Sequence, residues 1–314
     1  MSKTSKTISQ AILDVNKQFG HNTIVQLNEE VDQNMPCIPT GSIALDAAIG
    51  VGGYPKGRII DCYGAESSGK STLAYEAIVQ CQKQGGVALL LDSEQSQDPI
   101  YLKSLGVDFN KLYVSQESNA ENVYDLIAFL LKNPDTAPDL IVLDSMEALV
   151  SQREIDGDAG DSAMGVKARL NSSFLKKVSG MIKQTNCVFF VINQVRANIG
   201  GYGGSDIATG GKAIKFYASI RMKCYGTART EENGLAVAKE TTVKIEKNKV
   251  APPYRTATFQ IRYGTGIDKE KEVIDFAAET NIIQKGGAWY KIIPEEGENF
   301  EQLSFQGYPK LKQF

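Results

Sequence analysis

A mostly parallel α/β sheet with helices on both faces is the fold this sequence predicts. Apolar strand candidates recur at Arg58–Tyr63, Val87–Asp92, Lys111–Ser115, Leu140–Asp144 and Val188–Asn193, separated mostly by helical patterns such as Ala120–Leu131 and Lys167–Lys183. The run Gly64-Ala65-Glu66-Ser67-Ser68-Gly69-Lys70-Ser71 falls between the first strand and a helical stretch, Thr72–Gln84, that stops at Gly85-Gly86. That strand-loop-helix context is what a phosphate-binding loop requires. A third observation concerns the C-terminal part. From Lys215 onward KFYASIRMKCYG, ETTVKIEKN and TATFQIRYG are β-rich runs without helices between them, expected to extend the sheet antiparallel.

Each element has a local reason. Near the N-terminus, Ile8, Ile12, Val15 and Phe19 form one apolar helical stripe before the polar turn Gly20-His21-Asn22, to be buried on the chain's own core or on a neighbouring copy. In the phosphate loop, backbone amides and the following helix N-terminus cradle phosphate oxygens, Lys70 reaches the β/γ-phosphates, and the Ser71 hydroxyl binds Mg²⁺. The strand Leu140–Asp144 is apolar until its final carboxylate, so Asp144 is either a helix cap or the aspartate that holds Mg²⁺ through water. Asp92 and Glu94 end another parallel strand at the same edge, where ligands bind in such sheets. The only histidine, His21, is distant in sequence, so Glu94 is the better candidate for activating water, with Glu66 as rival. Two long Gly-, Asp- and Ser-rich loops, Glu154–Gly165 and Val195–Thr209, follow strands on the same side. A short helix over Glu272–Glu279 and a hairpin around Gly286–Tyr290 suggest a small terminal module.

Composition excludes several classes. With 314 residues, 42% hydrophobic and 23% charged, the chain can bury a substantial core and is not disordered. No apolar stretch spans a bilayer, and the polar start Met1–Lys6 has no signal-peptide core, so a cytoplasmic protein without membrane association is expected. Cys37, Cys62, Cys81, Cys187 and Cys224 are scattered and lack metal-site spacing, which suits reduced thiols. A net charge of −3 argues against a generally basic nucleic-acid coat, while leaving room for a local basic path.

Several segments carry a more specific likeness: Lys17-Gln18-Phe19-Gly20, PTGSIALDAAIGVGGYPKGRI from Pro39, GAESSGKST from Gly64, LDSEQSQDPIY from Leu91, VLDSMEAL from Val142, GDSAMGVKARL from Gly160, INQVRANIG from Ile192, TGGKAIKFYAS from Thr209 and EKNKVAPP from Glu246. On these the chain resembles the bacterial RecA recombinases, from about Gln18 to Tyr290. The resemblance implies a RecA-type P-loop ATPase core over 34–268 with two DNA-binding loops. An N-terminal helix and polymerisation segment over 1–33 and a short C-terminal module over 269–314 complete the expected organisation.

The resemblance also assigns roles. It gives ATP and Mg²⁺ as ligands, held by Gly64, Ala65, Glu66, Ser67, Ser68, Gly69, Lys70, Ser71 and Thr72, with the metal at Ser71 and Asp144. Glu94 looks like the carboxylate orienting the attacking water, and Gln194 like a sensor coupling the γ-phosphate to the loop after it. Asp98 and Tyr101 look like adenine contacts; by their residues alone, Asp98 before Pro99 reads as a helix cap and Tyr101 as a core aromatic. Tyr263 and Gly264 match a segment that covers the adenine from the adjacent subunit. Lys247 and Lys249 match lysines that reach the γ-phosphate across that interface, although Lys-Asn-Lys alone reads as a solvated turn. DNA contact falls to Met164, Gly165, Arg169, Ser172, Val195, Arg196, Ile199, Gly210, Gly211 and Lys212, with Lys167 and Lys215 adding cations nearby.

What is implied is a DNA-dependent ATPase forming a homo-oligomeric helical filament on single-stranded DNA. It would pair that strand with homologous double-stranded DNA and exchange strands in recombination and repair. A ring-forming motor on the same core and an ATP-gated DNA-coating scaffold are the rival readings. The chain departs from the family pattern at Ala65, where proline is usual, at Ala163, where histidine is common, and in a second loop one residue shorter. The long helical C-terminal module and acidic tail are reduced to Glu295, Glu296, Glu298 and Glu301 before Lys310–Phe314. Such shortening fits a member carried by a phage or mobile element.

Overall fold

The computed structural model describes residues 3–19, 24, 35–157, 164–196, 207–208, 211–232, 234–293 and 303–312. The chain divides into two compact units, Met1–Met35 and Pro36–Phe314. In the first, helix α1 spans Lys3–Phe19. Its apolar stripe leaves Ile8 exposed and Ile12 and Val15 half-buried, and the Asn16 side chain exchanges two 2.8 Å hydrogen bonds with the Ile24 backbone. The turn Gly20-His21-Asn22 lies outside the described residues.

The second unit opens with β1 (Cys37–Ile38), α2 (Ile43–Ile49) and β2 (Tyr54–Pro55), where β1 and β2 pair antiparallel. The α/β core follows: β3 (Ile59–Gly64), α3 (Lys70–Lys83), β4 (Ala88–Asp92), α4 (Pro99–Leu105), β5 (Leu112–Ser115), α5 (Ala120–Leu130), β6 (Leu140–Asp144), α6 (Gln152–Asp156), α7 (Met164–Thr185) and β7 (Val188–Arg196). Next come β8 (Ile207–Ala208), α8 (Gly211–Tyr217), β9 (Ile220–Glu232), β10 (Leu235–Asn248), β11 (Thr256–Arg262) and β12 (Gly266–Ile267). The main sheet runs β12-β11-β10-β9-β3-β7-β6-β4-β5, with β8 paired to β7.

Pairing is parallel from β9 through β3, β7, β6 and β4 to β5, and antiparallel from β9 to β12. The expected antiparallel extension is therefore corrected for its first strand. KFYASIRMKCYG is not one strand: Ile214 and Ala218 are buried and Tyr217 packs against the same apolar layer, so the helical turn ends at Tyr217. Only then does β9 begin, parallel to β3.

Strict alternation places the two apolar layers. Ile60, Leu90, Val142, Phe190 and Ile192 face the layer under α2 and α3, while Ile59, Leu89, Leu91, Ile141, Phe189 and Val191 face the layer under α5 and α7. Strands buried on both faces are what a parallel sheet covered by crossover helices requires. Across this sheet runs one buried charge cluster. Asp61 accepts from Arg221 Nε at 2.8 Å and from Asn193 Nδ2 at 2.7 Å, and the guanidinium lies 4.5 Å from the Tyr63 ring centroid.

After β12, α9 (Lys269–Glu279) leads to β13 (Ile283–Gly286), β14 (Trp289–Ile292), β15 (Ser304–Gln306) and α10 (Tyr308–Lys312). The hairpin has become a three-stranded antiparallel sheet, with Ile274, Ile283, Tyr290 and Leu311 as its small core. Glu272 ties α9 to α2: its carboxylate accepts from the Ser42 hydroxyl and from the Ala44 amide. The acidic residues 295, 296, 298 and 301 lie outside the described residues. All five cysteines are free thiols, and no described helix is long and apolar enough to cross a membrane.

Candidate nucleotide and nucleic-acid site

The phosphate loop is shaped by two glycines. Gly64 ends β3 against β9, where a Cβ would stand 2.1 Å from the Cys224 carbonyl oxygen, so no side chain fits. Gly69 takes φ +95 and starts α3, with Ser67 also at positive φ, +56. Alternating turn conformations of this kind direct successive amides into one concavity. Helices α2, α4, α5, α6 and α9 each have a side-chain N-cap, whereas α3 has none. Its first amides are left for an anion, which the helix dipole also favours.

A cleft of about 290 Å³ opens beside them, lined by Ser67–Thr72, Tyr101, Lys239, Thr241, Ile261, Arg262, Tyr263 and Gly264. The buried Ser68 and Thr241 hydroxyls have no protein partner there. A lining of hydroxyls, cations and two tyrosines fits a nucleoside polyphosphate. Gly64, Ala65 and Glu66 do not line the cleft. Lys70 is buried and donates to the Gly64 and Ala65 carbonyls at 3.1 and 2.6 Å. The Ser71 hydroxyl donates to Asp144 Oδ2 at 2.9 Å, so the two groups expected to share Mg²⁺ already meet. Burial pushes the Asp144 carboxyl up to about 6, opposed by the Ser71 bond and reinforced by the Glu94 and Asp92 charges. A buried carboxylate of this kind fits a divalent cation, which would favour its ionised form.

The neighbouring strand ends have separate jobs. Asp92 is buried and accepts from the Ser96 and Gln97 amides, which shapes the loop after β4. Glu94 is exposed; its Oε1 accepts from the Ser145 hydroxyl at 2.6 Å and from Gln194 Nε2 at 3.1 Å. Thus β4, β6 and β7 converge on one carboxylate beside the phosphate loop.

Asp98 caps α4 through the Ile100 amide at 2.8 Å and does not line the cleft. Tyr101 does line it, fixed by a 2.9 Å hydroxyl bond to Thr72. Tyr263 and Gly264, expected to cover a neighbour's adenine, are brought by the turn after β11 to the cleft wall beside their own phosphate loop. Lys247 and Lys249 are elsewhere, at the end of β10. Lys247 donates to the Lys215 and Phe216 carbonyls at 2.6 and 3.1 Å, and Lys249 to Phe216 at 3.4 Å, closing the C-terminal end of α8. Burial and the neighbouring Lys249 and Arg221 charges lower the Lys247 pKa.

Both expected loops are shorter than their sequence bounds. The Ser151/Glu154 capping box starts α6, and α7 begins at Met164, so the first loop narrows to the residues between. On α7, Gly165, Arg169 and Ser172 are exposed and spaced 4 and 3, hence on one helical face. Lys167 is turned aside to the Glu147 carbonyl. The second loop is closed at its base by Val195↔Ala208 and Arg196↔Ile207 pairing. Ile199 and Gly210 lie outside the described residues, as do the side chains of Met164, Arg196 and Lys212; Gly211 and Lys212 begin α8. Sequence reasoning missed Ser145, Lys239, Thr241 and Arg262. Ser145 follows the strand-ending Asp144, a usable signal, whereas nothing local marks the other three.

Fold and cleft together define a P-loop ATPase whose phosphate loop lies between two long sheet strands and whose neighbouring strand ends lead into loops. The family model for the RecA N-terminal domain matches residues 6–268. Similar curated proteins include protein RecA of Acinetobacter baylyi, 45% identical over 287 residues, covering 91% of this chain and 82% of that protein. Protein RecA of Macrococcus caseolyticus is 43% identical over 303 residues, 96% of this chain and 84% of its own length. That of Bacillus licheniformis is 42% identical over 315 residues, 100% and 88% respectively. The chain belongs to the RecA family, and with it to the recombinases of DNA repair.

Proposed function

We propose that this protein couples ATP hydrolysis to assembly on single-stranded DNA and to strand exchange with a homologous duplex. The observation that carries the reading is the 3.1 Å bond from Gln194 to Glu94, because it ties the carboxylate beside the phosphate loop to the strand that opens into the second loop. A change at that carboxylate reaches the loop's base through one hydrogen bond and the β7 backbone.

In this reading the α3 amides and Lys70 hold the phosphates, and Ser71 with Asp144 holds Mg²⁺. The bound cation would neutralise charge that develops on the phosphate oxygens. Glu94 accepts a proton from water while Ser145 fixes its carboxylate. Tyr101, Tyr263 and Gly264 flank the base, and Asp98 orders Tyr101 by capping α4. Lys247 and Lys249 serve the neighbouring copy's site, since in their own chain they sit on α8. The exposed face Gly165, Arg169 and Ser172, with Met164, Val195, Arg196, Ile199, Gly210, Gly211 and Lys212, tracks the DNA backbone, which needs cations and little base readout. Residues 1–33 serve polymerisation, 34–268 form the ATPase core and 269–314 a terminal module, in a cytoplasmic protein.

Strand exchange with homologous and heterologous duplexes, alongside ATPase assays and filament imaging, tests the proposal. Hydrolysis stimulated by single-stranded DNA and products only with the homologous duplex are expected. Directional unwinding without homologous pairing would replace the proposal with a motor reading.

A further inference from the structure

The nucleotide cleft holds a cation to which none of these roles is assigned. Lys239 projects from β10 and its ammonium donates to the Ser67 carbonyl at 2.7 Å. A loop whose amides converge on an anion turns carbonyls outward, and these need donors of their own. Lys70 serves the Gly64 and Ala65 carbonyls, and Lys239 serves that of Ser67, two residues further along the loop.

The reach of Lys239 is built into the strands. The β9/β10 register slips between Lys239↔Arg229 and Thr241↔Gly226, and such a bulge re-aims a side chain. Gly226 then leaves room for the lysine stem: a Cβ there would stand 1.8 Å from Lys239 Cε and 2.4 Å from Nζ. The other cation on this wall, Arg262, is balanced by Glu232 at 3.2 Å and Asp268 at 3.3 Å. Among the described residues Lys239 makes no ion pair, so its charge is available to the cleft.

We propose that Lys239 is a positioning residue of the nucleotide site, latching the phosphate loop through Ser67 and adding positive potential to the wall that faces a nucleoside diphosphate. The proposal rests on reading the cleft as the ATP site. Both effects act on the diphosphate that ADP and ATP share, so they govern nucleotide affinity rather than the hydrolytic step.

ADP binding is titrated by calorimetry and ATPase measured on single-stranded DNA. Lys239→Met is expected to raise the ADP Kd about tenfold, the scale of one charge-assisted hydrogen bond, while kcat at saturating ATP stays within about twofold. Lys239→Arg keeps charge and donor and should restore most of the affinity. Gly226→Ala crowds the flexible end of Lys239 and should give a similar loss, with no further loss when added to Lys239→Met. Lys70→Ala is the control for the site. If it binds ADP normally, the reading of the cleft fails and the proposal with it. If Lys70→Ala loses ADP while Lys239→Met binds within about twofold of the parent, the latch alone is refuted. A fall in kcat matching the rise in Kd, unrescued by arginine, also refutes it. Should Lys239→Met not fold, Gly226→Ala decides by the same threshold.

Discussion

Arg221→Met leaves a carboxylate stranded inside the central sheet, and the cost follows from its surroundings. Asp61 is fully buried and receives one N–H from Arg221 and one from Asn193. Without the guanidinium only the neutral amide remains, and breaking a buried pair from one side costs about 3–5 kcal/mol. At roughly 2 °C per kcal/mol for a chain of this size, the melting temperature should fall by about 6–10 °C. The deficit should also depend on pH. Burial already raises the Asp61 carboxyl pKa, with Arg221 as the main opposition, so the variant raises it further. A carboxyl raised by folding holds its proton more tightly in the native state. Stability is therefore kept below the ordinary aspartate pKa of about 3.9 and lost as pH rises through the raised value. The Arg221→Met deficit should be larger near pH 8 than near pH 5, and Asp61→Asn in the same chain should recover at least half of it. Thermal melts of the nucleotide-free parent, single and double variants at both pH values measure this. A fall of less than about 2 °C, or an equal fall at both pH values, would refute the reasoning.

Glu94→Gln should keep ATP and DNA binding and lose turnover, because the amide retains shape but cannot take water's proton; DNA-stimulated hydrolysis near the parent rate removes Glu94 from that role. Changing Lys247 and Lys249 together to alanine should spare nucleotide binding by isolated subunits and suppress hydrolysis on DNA, with activity in mixed filaments only where a parent subunit supplies the lysines. Isolated monomers hydrolysing ATP at the full DNA-stimulated rate would rule out a shared site. Tyr54→Phe should stabilise the protein by about 1–2 kcal/mol, since the buried Tyr54 hydroxyl has no partner; urea unfolding that shows a loss instead means the hydroxyl is satisfied.

The parallel core was legible because its strands are apolar on both faces and each is short, so runs such as Leu140–Asp144 stand out without periodicity. The phosphate loop was legible because one unbroken segment supplies its chemistry. Helix α2 was not read from the sequence, since seven residues give two turns and its N-terminus is fixed by Glu272, more than two hundred residues away. The α8 boundary was misread because Phe216 and Tyr217 are as much at home in a strand as in a helix, and contact with α7 decides. A motif match for Tyr263 and Gly264 conveys which residues meet a ligand, not which copy brings them; the turn after β11 is what sets them beside their own phosphate loop. Lys239 was invisible because its place depends on a register slip and on a glycine thirteen residues earlier in the chain.

The Lys70 ammonium already rests on the Gly64 and Ala65 carbonyls. A loop that supplies oxygens to its own lysine holds part of its shape through its own bonds. Arrival of a nucleotide exchanges one set of oxygens for another, so affinity is a difference between two occupied states rather than the full strength of a lysine–phosphate contact. Release is correspondingly easier, because the departing ligand leaves a cation with acceptors already beside it. A phosphate loop whose lysine has acceptors of its own is therefore built for exchange of its ligand rather than for permanent capture.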